Sequence, residues 1–122
     1  MAKILIVEDN EMNMLLFSDL LKTQGYDIVP CSDGAEAQQA VERERPDLVL
    51  MDIQLPGMSG VDITKAIRRT PSIADTRIIA VSAFALPGDA EKMLAEGFDA
   101  YLSKPIAIPQ FFETVKKELA AA

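Results

Sequence analysis

A chain of 122 residues that is 49% hydrophobic has the size and apolar content of one globular domain, able to bury roughly two thirds of its unfolded surface. Its net charge of -7 argues against nucleic acid as a direct partner, and the absence of histidine excludes imidazole bases, His-ligated zinc and a phosphohistidine within the chain. Apolar runs are too short for a signal-peptide core or a membrane span, so a cytoplasmic protein is expected, and the lone Cys31 reads as a small apolar residue.

The first strand is expected over Lys3–Val7, where ILIV lacks polar alternation, as strands buried on both faces do, and hands over to Glu8 and Asp9. A helix over 13–24 would place Met14, Leu16, Phe17, Leu20 and Leu21 on one face and Ser18, Asp19 and Lys22 opposite, with Gly25 as its stop. Leu15 falls on the polar side, where a partner contact and a harmless exposed leucine are both open readings. Strand Asp27–Cys31 comes next, and Pro30, which has no N–H for a ladder, marks it as an edge strand. Helices over 35–45, 61–69, 89–96 and 109–120 then alternate with strands at Leu48–Asp52, 78–82 and Ala100–Ser103. LVLM ends at Asp52, ahead of the loop Gln54-Leu55-Pro56-Gly57; IIAV ends at Ser82, and AYL at Ser103 and Lys104. In the last helix Ile108, Phe111, Phe112, Val115 and Leu119 share a face, and Pro109 sits early, where its missing N–H costs nothing.

This alternation predicts an α/β domain with a parallel sheet covered by helices on both faces. The C-terminal ends of parallel strands share one edge, so Glu8, Asp9, Asp52, Ser82 and Lys104 are expected around a single crevice. Carboxylates about 4 Å apart repel by roughly 1 to 4 kcal/mol, so the cluster calls for a cation. Hard oxygen ligands without His or Cys favour Mg²⁺, which takes one or two carboxylates together with phosphate oxygens. Lys104 can bond one phosphoryl oxygen and the Ser82 hydroxyl another. Asp52, ending the central apolar run, is the candidate nucleophile for an aspartyl phosphate.

Together the segments IVEDN (Glu8, Asp9), LVLMDIQLPGMSG (Asp52, Gly60), AVSA (Ser82) and AYLSKP (Tyr101, Lys104, Pro105) resemble a response-regulator receiver domain over nearly the whole chain. The resemblance implies a flavodoxin-like (βα)5 sandwich of strand order 2-1-3-4-5. It implies a histidine kinase or histidine phosphotransfer protein donating phosphate to Asp52. Mg²⁺ would be bound by Asp9, Asp52 and the backbone carbonyl of Gln54, with Glu8 acting mainly through water. Ser82 and Tyr101 would form the switch pair, remodelling the surface of the fourth helix, fifth strand and fifth helix for a downstream protein target. A cis peptide between Lys104 and Pro105 is expected, and Gln54 and Phe84 would flank the path of the hydrolytic water. With the chain ending just after its last helix, a single receiver domain without an output domain is expected, a phosphoacceptor and not an enzyme. An aspartyl phosphatase would want a second acid where Gln54 stands, and a flavin carrier a Ser/Thr/Gly-rich first loop in place of Glu8 and Asp9.

Overall fold

The computed structural model describes residues 1–83 and 88–121. Strands β1 (Lys3–Val7), β2 (Asp27–Cys31), β3 (Leu48–Asp52), β4 (Arg77–Ser82) and β5 (Ala100–Ser103) pair in parallel in the order β2-β1-β3-β4-β5. Helices α1 (Glu11–Lys22), α2 (Ala37–Glu44), α3 (Gly60–Arg68), α4 (Asp89–Ala95) and α5 (Ile108–Ala121) connect and follow them. This is the expected doubly wound sandwich, with Pro30 on the edge strand in register with Ile6.

The unalternated strands are explained by two cores, one on each face of the sheet. Leu5, Val7, Val49, Met51, Ile78 and Ala80 pack with residues of α2 and α3, while Ile4, Ile6, Leu48, Leu50, Ile79 and Val81 pack with those of α1 and α5. Successive side chains still point to opposite faces, but both faces are covered. Among the described residues no helix is long and apolar enough to cross a membrane.

Three helices depart from the sequence reading. In α1 the buried residues are Phe17, Ser18 and Leu21, whereas Leu16 is 44% exposed. Phe17 stacks on Phe111 of α5 with ring centroids 5.7 Å apart, which centres the buried stripe near Phe17 and Leu21. At about 100° per residue, that phase turns Ser18 inward and Leu16 outward. In α5, Ile108 is exposed and Glu118 is buried, the latter within 2.6 Å of the Arg77 guanidinium. The stretch before α2 is a short 3-10 turn, Gly34–Glu36, capped by Asp33.

The start of α3 lies tightly against the end of β3. A Cβ on Gly60 would collide with the Asp52 carbonyl oxygen and lie 2.8 Å from the Ile53 Cα, so only glycine permits this approach. Ser59 caps the helix by accepting the Val61 N–H.

Candidate functional site

The strand ends converge as their order requires. Asp52 finishes β3, opposite Val81 of β4, and Ser82 pairs with Ser103 at the end of β5. The Lys104 N–H donates to the Ser82 carbonyl at 2.7 Å, and the Lys104-Pro105 peptide is cis, as expected. From β1, the Glu8 N–H donates to the Cys31 carbonyl, which fixes the turn that carries Glu8 and Asp9. Asn10 then caps α1 by accepting the Asn13 N–H.

Carboxylate oxygens of Glu8, Asp9 and Asp52 all lie within 4.8 Å of one another. Glu8 is 1% exposed and Asp52 3%, whereas Asp9 faces solvent. Lys104 Nζ reaches Glu8 Oε1 at 3.0 Å and Asp52 Oδ2 at 3.3 Å, across sequence separations of 96 and 52 residues. Glu8 Oε2 accepts the Asn10 N–H, and Asp52 Oδ1 accepts the Gln54 N–H at 2.9 Å. Burial pushes the Glu8 carboxyl pKa up, against the pull of the Lys104 bond and with added push from Asp52. Burial works against the Lys104 ammonium, but its bond to Glu8 and the charges of Asp52 and Glu8 prevail, and its pKa rises.

The donor set suits a small hard cation. Metal–oxygen bonds of about 2.1 Å place ligand oxygens roughly 3 to 4 Å apart, somewhat tighter than the 4.8 Å within which these oxygens lie, and among the described residues no nitrogen or sulfur ligand joins the cluster. Glu8 is already tied to the Lys104 ammonium and to the Asn10 N–H.

A profile of the response regulator receiver domain matches residues 4–116. The chain belongs to the response-regulator receiver family. Among its relatives, the polar-differentiation response regulator DivK of Brucella anthropi is 46% identical over 119 residues, covering 98% of this chain and 97% of that protein. The receiver domain of a sensor histidine kinase from Pseudomonas aeruginosa PAO1, solved with magnesium coordinated in its active-site cleft, superposes with a TM-score of 0.88 at 34% identity, covering 98% of both chains. A response regulator from Chloroflexus aurantiacus superposes at 0.91 with 27% identity, again covering 98% of both chains.

All of the expected site residues meet at this receiver edge except two. Tyr101 lies two residues before the end of β5, opposite Ala80, half-buried against the core on the α2 and α3 side. Phe84 lies outside the described residues. Gln54, expected to contribute its carbonyl, also engages the site in a way the sequence did not signal: its side-chain Oε1 accepts the Ala83 N–H at 3.0 Å. That contact depends on where β4 ends relative to β3, which no motif encodes.

Proposed function

We propose that this receiver domain relays a signal by accepting a phosphoryl group on Asp52 from a phosphohistidine protein, and that phosphorylation switches a protein-binding surface. In the transfer, an Asp52 carboxylate oxygen forms a bond to phosphorus while the N–P bond of the donor breaks, its electron pair passing to the imidazole nitrogen. Lys104, already within reach of Asp52, moves its ammonium to a phosphoryl oxygen, and the Ser82 hydroxyl donates to another. Mg²⁺, held by Asp9, Asp52 and the Gln54 carbonyl with Glu8 acting through water, would neutralise charge so that a phosphate can approach three carboxylates. Ser82 and Tyr101 then couple the phosphoryl group to the surface of α4, β5 and α5, where Leu94 and Ile108 are exposed. The chain assists its own phosphorylation and dephosphorylation but turns over no other substrate, and it acts in the cytoplasm through a downstream protein target.

The observation that carries this reading is the meeting of three carboxylates and one ammonium at strand ends far apart in sequence. A groove of about 350 Å³ adjoins them, lined by Glu8 and Asp9 themselves and by Met14, Leu15 and Pro30. Leu15 lines this groove, and on α1 the exposed Met12, Leu15 and Leu16 are neighbours at helical spacing, so Leu15 is part of an apolar patch rather than a solitary leucine. Because this patch borders the acidic crevice, it suits a histidine-bearing helix that must bring its imidazole to Asp52. Incubation with acetyl phosphate and Mg²⁺ should add one phosphoryl group, and Asp52→Asn should abolish it; unaltered labelling of the variant would defeat the assignment.

A further inference from the structure

Gln54 connects Asp52 to the exit of β4 through two separate bonds. Its backbone N–H donates to Asp52 Oδ1 at 2.9 Å, while its side-chain Oε1 accepts the Ala83 N–H at 3.0 Å. Two backbone donors on either side of it are committed to the sheet's own carbonyls: Ile53 N–H to Val81 at 3.1 Å, and Lys104 N–H to Ser82 at 2.7 Å. The Ala83 N–H is held instead by a neutral oxygen on an exposed side chain, so it can change partner without breaking a strand pairing. It also follows directly on Ser82, at the strand end next to Asp52. A phosphoryl group on Asp52 brings three strong acceptor oxygens to this edge, and bonds to a charged acceptor are about twice as strong as those to a neutral amide.

We propose that the Gln54 side chain is a positioning residue that clasps the Ala83 amide in the unphosphorylated protein and competes with the phosphoryl group for that donor. This rests on Asp52 being the phosphoacceptor. Gln54 thereby sets how readily the exit of β4 responds once Asp52 is loaded, a role separate from the metal contact of its main chain. Its exposure means that changing the side chain leaves the cores untouched.

The test titrates beryllofluoride, a phosphoryl mimic, into wild type and Gln54→Met at saturating Mg²⁺, while NMR follows exchange of the Ala83 amide in the beryllofluoride-free proteins. Methionine keeps the length of the side chain but lacks the amide acceptor. The expected result is binding about fivefold tighter in Gln54→Met, the worth of one typical hydrogen bond, with faster Ala83 exchange. Gln54→Glu, which retains an acceptor, should keep the Ala83 amide protected. Equal beryllofluoride affinity and equal Ala83 exchange in wild type and Gln54→Met would overturn the clasp. Failure of wild type itself to bind beryllofluoride would instead overturn the phosphoacceptor reading, and the clasp with it.

Discussion

The two edges of the sheet gather charged residues in opposite ways. At the N-terminal edge, Arg68 and Arg77 face Asp99 and Glu118, two cations against two carboxylates. Arg68 also donates to the carbonyls of Gly97, Ala74 and Thr76, and Asp99 accepts the Ile78 N–H at 2.8 Å. At the C-terminal edge, three carboxylates share one ammonium. The first cluster is balanced in charge and ties α3, β4, the loop before β5 and α5 together; the second is left short of positive charge. Charge balance, more than residue type, separates an edge that holds the fold from one that takes up a ligand.

The contrast can be broken at either end. Gly60→Ala should have the largest effect, because it forces a methyl group into the Asp52 carbonyl: a loss of about 3 kcal/mol in unfolding free energy is expected from overpacking against backbone. Urea denaturation measures it, and a loss too small to detect would show that the start of α3 can move away from β3. At the opposite edge, Glu118→Ala leaves Arg77 without its 2.6 Å partner and should cost about 2 kcal/mol, less than a fully buried pair because Arg77 keeps Asp99 and some solvent. That loss should be the same with and without Mg²⁺; metal dependence would mean that the two edges are coupled.

Glu8→Gln should act in the reverse sense. With its pKa raised in the folded state, Glu8 makes the folded protein bind more protons than the unfolded chain in the window above the ordinary glutamate range. The contribution of Glu8 to metal-free stability is therefore highest below that window and falls as pH climbs through the raised value. Removing the carboxylate should flatten this decline and stabilise the metal-free fold by about 1 kcal/mol at neutral pH, the low end of the repulsion between close carboxylates. A metal-free variant less stable than wild type at neutral pH would contradict the idea of crowded charge. The smallest effect on stability is expected for Leu15→Asp, since Leu15 is 57% exposed. It should leave labelling by acetyl phosphate unchanged while slowing transfer from a phosphohistidine protein; equal rates with both donors would remove α1 from the docking surface.

Much of the C-terminal edge was legible in the sequence because a strand end is a local event. An apolar run that stops at Glu8, Asp52, Ser82 or Lys104 places that residue at the edge whatever its neighbours do. The topology was legible through Pro30 and through the receiver motifs, since parallel strands joined by helices allow few orders. What escaped depends on how elements meet. The phase of α1, with Ser18 inside and Leu16 outside, is set by Phe111 on a helix about ninety residues away. Burial of Glu118 depends on Arg77 lying across from it, and the side-chain bond of Gln54 on the position of Ala83. The N-terminal edge went unread for that reason: its four charged residues come from two helices, one strand and one loop, with no shared motif.

The most direct test is denaturation of wild type and Asp52→Asn, each with and without Mg²⁺. If the C-terminal edge is a cluster of carboxylates that only a cation relieves, Asp52→Asn is the more stable protein without metal, and Mg²⁺ stabilises wild type far more than the variant. A metal-free Asp52→Asn less stable than wild type, or equal stabilisation of both by Mg²⁺, would contradict it.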